Sequence, residues 1–298
     1  MVSSVKILVT GGSGQVAWEL GAKGGTAVRV VGRPDFDFDR PETIAEIFRT
    51  ARPSAVVNAA AYTAVDAAET NQDAAYRANR DGPAMLAKLC QGARIPLVHI
   101  STDYVFDGRK GAPYVETDPV GPTGVYGASK LAGEQGVLAE CEKAVVLRTA
   151  WVYAPRGHNF LLTMLSAAKK TNRLRVVADQ RGSPTAAEDL ASAILSLPFL
   201  RGDGWRNEYR GIFHAAASGE TTWHGLACAI FEEAARDGAA PPLIEPITTA
   251  DWPTPAKRPP DSRLDCTKLA RLFGLRLPDW RDGVRRTVAR VFSPTART

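Results

Sequence analysis

The sequence predicts a doubly wound α/β fold, a largely parallel sheet with helices on both faces, followed by a smaller C-terminal lobe. Three observations carry this reading. Short apolar runs alternate with helix-period stretches through the first half of the chain, the first run leads straight into a glycine turn, and prolines cluster between residues 241 and 260.

Taken in order, Val5 to Thr10 reads as a short buried strand that passes through Gly11-Gly12-Ser13-Gly14 into the amphipathic stretch opened by Gln15-Val16-Ala17. Ala27 to Val31 is the second strand and Phe36 to Asp39 a short third one, with apolar and acidic residues alternating. A helix is expected over Glu42 to Thr50, a fourth strand over Ala55 to Asn58, and a helix over Tyr76 to Gly92. Pro96 to Ser101 is the fifth strand, Tyr126 to Ala139 a helix, and Ala144 to Arg148 the sixth strand. Residues 1–150 form a nucleotide-binding domain in this reading, with sheet-completing segments from about 151–220. The remainder, 221–298, is mainly a substrate-binding lobe. Helical stretches from Thr222 to Gly238 and from Thr267 to Phe273 flank loops marked by Pro241, Pro242, Pro246, Pro253, Pro255, Pro259 and Pro260. The cleft between the two parts is the natural place for a substrate.

Bulk properties exclude several classes. With 298 residues, 45% hydrophobic and 23% charged, the chain has the composition of a soluble globular protein. The formal charge of +5 is scattered, which argues against a nucleic-acid polymer as partner. No stretch approaches the roughly 20 apolar residues of a membrane span, and the beginning of the sequence lacks a leader pattern. Cys90, Cys141, Cys228 and Cys266 show no zinc or redox spacing and read as reduced structural residues. A cytoplasmic monomer or homodimer is expected, and the residues by themselves assign no metal.

The candidate site rests on three motifs. Gly11 and Gly14 let the backbone pass close to a pyrophosphate at a helix N-terminus, with Gln15 and Val16 completing the turn. Tyr126 and Lys130 lie one helical turn apart on one face, a spacing that lets an ammonium favour phenolate and reach toward a ribose hydroxyl. Ser101 and Thr102 end an apolar strand at the sheet edge where ligands bind, and Thr102 or Ser101 there can donate to a substrate carbonyl as Tyr126 protonates it. His99, inside the same strand, reads as a core residue. Arg33 stands where a carboxylate would select a free ribose 2′-hydroxyl, so NADPH is the expected coenzyme, with NADH as an accepted alternative. Asp39 is placed to meet the adenine edge.

With these motifs in this order, the chain resembles the extended short-chain dehydrogenase/reductase superfamily and, within it, the dTDP-4-dehydrorhamnose reductase family. The resemblance is carried by Val57-Asn58-Ala59-Ala60-Ala61-Tyr62-Thr63-Ala64-Val65-Asp66, by Ser101 to Gly108, by Arg148-Thr149-Ala150-Trp151-Val152-Tyr153, and by Pro253-Thr254-Pro255-Ala256-Lys257-Arg258-Pro259. It implies a Rossmann-type fold and reduction, with NAD(P)H, of the 4-keto group of a dTDP-sugar, dTDP-4-dehydro-L-rhamnose. On that resemblance Tyr126 is the general acid, Lys130 lowers its pKa and holds the nicotinamide ribose, and Thr102 hydrogen-bonds the sugar. Ala59, Ala60 and Ala61 line the coenzyme, Val65, Asp103, Tyr104 and Trp151 contact the substrate, and Lys257 and Arg258 suit its diphosphate. Some members hold a magnesium ion at a dimer contact through acids matching Glu19 and Glu188, which by themselves read as solvated surface glutamates.

Two rival readings stay open at this level. An epimerase or reductase of a related sugar nucleotide would share the scaffold, although a dehydratase needs a second acid where Tyr104 stands. A non-catalytic regulatory or binding subunit on the same scaffold would keep the fold without turnover.

Overall fold

The computed structural model describes residues 6–236 and 238–293. Val5, expected to open the first strand, lies outside them. The central sheet has six strands, all parallel. In chain order its elements include β1 (Ile7–Thr10), α1 (Gln15–Gly24), β2 (Val28–Val31), α2 (Pro41–Ala51), β3 (Ala55–Asn58), α3 (Gly82–Ala93), β4 (Leu97–Thr102), α4 (Val125–Glu140), β5 (Ala144–Thr149), α5 (Ala187–Leu195) and β6 (Gly211–His214). The strand order is β6-β5-β4-β3-β1-β2, so the winding reverses between β1 and β3. A crevice opens at such a reversal, beyond the carboxyl ends of the strands.

Alternating side chains build a core on each face of the sheet. Ile7, Val9, Val57, Val98 and Leu147 point to one side and pack on Leu20 of α1 and on Leu190 and Ile194 of α5. Leu8, Val56, Leu97 and Val146 point to the other and meet Ile44 of α2, Leu86 of α3 and Val137 of α4. Each fully buried aliphatic side chain of this kind contributes roughly 1.5–3 kcal/mol.

One expected strand is absent. Phe36 to Asp39 forms a turn with an isolated bridge between Asp37 and Arg40. The alternation there has a different cause: Arg33 bonds both Asp37 (2.9 Å) and Asp39 (2.7 Å), which curls the segment, while Phe36 and Phe38 meet edge to face at 5.4 Å. The helix expected from Tyr76 to Gly92 is interrupted by a π-helical turn, Arg77–Asp81, just before Pro83. Proline has no N–H for the helical ladder, and the wider turn absorbs that break.

The later part of the chain returns to the sheet and also builds its own core. Tyr153, Leu161, Leu226, Ile230, Trp280 and Val284 cluster under the helices α6 (Trp223–Arg236) and α7 (Trp280–Phe292). A parallel pair, Arg173–Val177 with Leu243–Ile247, closes its far side. Among the described residues, no helix is long and apolar enough to cross a membrane.

Candidate active site

The glycine turn lies in the crevice at the β1/β3 reversal. Gly11 has φ +86, and a Cβ on it would lie 2.7 Å from Ala59 O and 2.8 Å from Ala60 N. Only glycine lets the two loops approach so closely. Thr10 Oγ1 donates to Asn58 Oδ1 (2.6 Å), and Ala60 N donates to Thr10 Oγ1 (3.3 Å), which fixes Ala59 to Ala61 beside the turn. Gly14 precedes α1 without a side-chain cap, and the first turn carries no acid. The free N–H groups and the positive end of that helix suit a pyrophosphate. Val16 is buried in the core, so it has only its main chain to offer, while Gln15 accepts a hydrogen bond from Asn159 Nδ2 at 2.9 Å.

At the ribose end, Arg33 is exposed and shared between Asp37 and Asp39, and Arg77 also bonds Asp39 at 3.0 Å. A 2′-phosphate would gain two guanidinium groups there, but it would compete with two carboxylates for them.

The second cluster gathers where β4 meets α4. Tyr126 occupies the first turn of α4, with Lys130 and Glu134 following at intervals of four. Lys130 is 2% exposed and donates to Ile100 O at 2.6 Å. Thr102, the last residue of β4, donates to Asp103 Oδ1 (3.0 Å) and accepts from Tyr104 N (3.2 Å). Tyr104 and Tyr126 meet edge to face at 5.7 Å. The other Asp103 oxygen is buried without a partner.

Burial dominates the electrostatics. It pushes Tyr126 up to about 12, against the opposing contact with Thr102. It pulls Lys130 down to about 8, against the supporting charge of Glu134. Asp103 is pushed up to about 7 by the same cause. The Lys130 ammonium is turned to the Ile100 carbonyl, and Thr102 is the group that opposes the rise of Tyr126, which is half-buried. His99 lies in the core beside Asn58 Nδ2 (2.9 Å), held well below its ordinary value by burial and then by Lys130, and so stays neutral.

Around the opening, Val65 starts a short helix, Val65–Ala68, and is half-buried. The next residue, Asp66, binds Arg258 through both oxygens, at 3.0 and 2.8 Å. This pair ties the proline-rich strap to the loop after β3. Arg258 is thus already paired, whereas Lys257 is exposed. Trp151 sits after β5 with φ +47, its indole stacked on Trp223.

Comparison with known proteins places this geometry. The model of the RmlD substrate binding domain matches residues 5–293. A dTDP-4-dehydrorhamnose reductase of Sinorhizobium fredii (strain NBRC 101917 / NGR234) is 43% identical, covering 95% of this chain and 97% of that protein. One from Burkholderia thailandensis is 45% identical, with 94% and 97% covered. The chain belongs to the dTDP-4-dehydrorhamnose reductase family. Among solved structures, the dTDP-4-dehydrorhamnose reductase of Bacillus anthracis str. Ames in complex with NADP superposes with a TM-score of 0.87 at 32% identity, covering 96% of this chain and 99% of that one.

Within the dTDP-4-dehydrorhamnose reductase family the question of magnesium turns on Glu19 and Glu188. Glu19 is 2% exposed, not solvated, and accepts from Arg290 Nη1 at 2.8 Å. Glu188 faces Lys23 (3.2 Å), Arg290 (3.5 Å) and Arg286 (3.8 Å). The chain's own cations already balance both carboxylates. Among the described residues no group of three or more His, Cys, Asp or Glu residues of one chain is placed to hold a metal ion.

Three residues of this dTDP-4-dehydrorhamnose reductase family member escaped the sequence reading. Buried Asn79 in the π-helical turn accepts from Tyr62 N (2.8 Å) and donates to Ser129 Oγ (3.0 Å), joining the β3 loop to α4. Nothing in its neighbourhood of the sequence marks it. Glu134 continues the interval of four that links Tyr126 and Lys130, so its place on the same face was legible. Trp223 lies 72 residues from Trp151 in sequence (223 − 151), with no local signal to join them.

Proposed function

We propose that this protein reduces the 4-keto group of dTDP-4-dehydro-L-rhamnose to give dTDP-L-rhamnose, the last step of dTDP-rhamnose biosynthesis, using NADPH and accepting NADH. The observation that carries it is the convergence of Tyr126, Lys130 and Thr102 at the carboxyl end of β4, beside the cradle of Gly11, Gly14 and Ala59 to Ala61. The NADP held by the Bacillus anthracis relative supports the coenzyme assignment.

Gly11, Gly14 and the main chain of Gln15 and Val16 would hold the pyrophosphate, Arg33 the 2′-phosphate, Asp39 the adenine edge, and Lys130 the nicotinamide ribose. NADPH, when bound, supplies a hydride to the carbonyl carbon. Tyr126 gives its phenolic proton to the carbonyl oxygen as negative charge develops there. Thr102 hydrogen-bonds the same oxygen and so orients the sugar. Val65, Asp103, Tyr104 and Trp151 surround the ring, and Lys257 remains free to meet the diphosphate. The cluster is complete within one chain, which is compatible with either a monomer or a homodimer. We place the reaction in the cytoplasm.

Turnover tests this directly. Consumption of NADPH with dTDP-4-dehydro-L-rhamnose, followed by the loss of near-ultraviolet absorbance, is expected. Coenzyme binding without turnover would identify a binding subunit instead.

Arg33→Ala is expected to raise KM for NADPH about tenfold, the scale of one charge-assisted contact, and to leave KM for NADH nearly unchanged. Equal effects on both would remove the 2′-phosphate role. The pH profile carries a further expectation. Lys130 loses its proton as pH rises through about 8, so kcat/KM should fall on the alkaline side from there. A profile flat through that region would show that its charge is not needed.

A further inference from the structure

Among the described residues, three non-glycine residues have positive φ: Arg52, Arg94 and Trp151. The first two end helices, where the left-handed conformation is common. Trp151 does not; it lies between β5 and the short strand Val152–Tyr153. A bulky residue with φ +47 is strained and persists only where its surroundings hold it.

Those surroundings are specific. The Trp223 indole lies parallel to that of Trp151, with centroids 3.5 Å apart and planes 5° from coplanar. Phe160 backs Trp223 at 4.8 Å. Trp223 Nε1 donates to Gln180 Oε1 (3.1 Å), and Gln180 Nε2 donates to Thr249 Oγ1 (3.0 Å), so the outer indole cannot rotate freely. At the edge of Trp151 stands Gly182, where a Cβ would lie 2.4 Å from Cε2 and 2.6 Å from Cζ2.

We infer that Trp223, oriented by Gln180 and backed by Phe160, is a positioning residue that fixes the Trp151 indole as the wall of the sugar subsite, with Gly182 setting how far that wall recedes. The inference rests on the proposed function, in which Trp151 contacts the substrate. One face of Trp151 is covered by Trp223 and one edge meets Gly182, and the surface that this half-buried ring keeps is available to an apolar patch of a deoxyhexose. A fixed wall avoids the cost of ordering a mobile indole on binding.

The test is calorimetric titration of the full-length protein with dTDP-L-rhamnose in the presence of NADP⁺, with near-ultraviolet circular dichroism on the same samples. Indoles held rigidly in an asymmetric packed environment give structured near-ultraviolet bands, and no other Trp–Trp stack occurs among the described residues. Trp223→Ala is expected to diminish those bands and weaken dTDP-L-rhamnose about three- to tenfold, the scale of an aromatic pair, with NADP⁺ affinity retained. Trp223→Phe should keep the bands of an immobilised Trp151 and recover most of the sugar affinity, because a stacked ring remains. Gly182→Ala should weaken the sugar nucleotide by displacing Trp151. If Trp151→Ala weakens dTDP-L-rhamnose but Trp223→Ala leaves it at the wild-type value, the positioning role is overturned while the substrate site stands. If Trp151→Ala itself changes nothing, Trp151 is outside the sugar site and both statements fall.

Discussion

Tyr126→Phe is expected to lower kcat by about 10²- to 10⁴-fold while NADPH binds as before. The ring keeps its edge contact with Tyr104 and its place in the first turn of α4, and only the dissociable proton is removed. Rapid-mixing rates with dTDP-4-dehydro-L-rhamnose, alongside a fluorescence titration with NADPH, separate the two quantities. A near-wild-type rate would move the proton source elsewhere, with Asp103 the nearest acid that burial holds close to neutrality.

Glu134→Gln should carry the largest cost in stability. Glu134 and Arg148 are both almost wholly buried and pair through two hydrogen bonds, at 2.9 and 2.7 Å, with Ser101 Oγ donating to the same carboxylate at 2.5 Å. Removing the carboxylate leaves a buried guanidinium uncompensated, a loss of about 3–5 kcal/mol. Thermal unfolding should begin roughly 10 °C lower. The double variant Glu134→Gln with Arg148→Met should recover much of that loss, since no charge is then stranded. The same substitution removes the carboxylate that supports the Lys130 ammonium, so the alkaline fall in kcat/KM should move to lower pH. A single variant as stable as the wild type would show that water reaches Arg148.

The parts of the fold legible in the sequence are those governed by short-range rules. The strands at Ile7–Thr10, Ala55–Asn58, Leu97–Thr102 and Ala144–Thr149 are apolar runs buried on both faces, and Gly11 marks a turn where two backbones nearly touch. Tyr126 and Lys130 were legible because a helix converts a spacing of four into adjacency. The turn at Phe36 to Asp39 was misread because two aspartates gathered by Arg33 mimic the alternation of a strand. The orientation of Lys130 and the rise of Tyr126 were out of reach, since both depend on what the folded pocket excludes. Trp223 and Asn79 depend on contacts between segments far apart, which no local pattern encodes.

The bond between Glu19 and Arg290 has a consequence for the making of the protein. The two residues are 271 positions apart, and β6 and α5, which complete the sheet and cover one of its faces, are likewise translated late. Synthesis at about 5–20 residues per second leaves Glu19 without its partner for on the order of tens of seconds. The cradle's own contacts, from Thr10 to Asn58 and Ala60, are thus translated early, while the sheet edge and the face that β6 and α5 complete stay open until the last third of the chain is made.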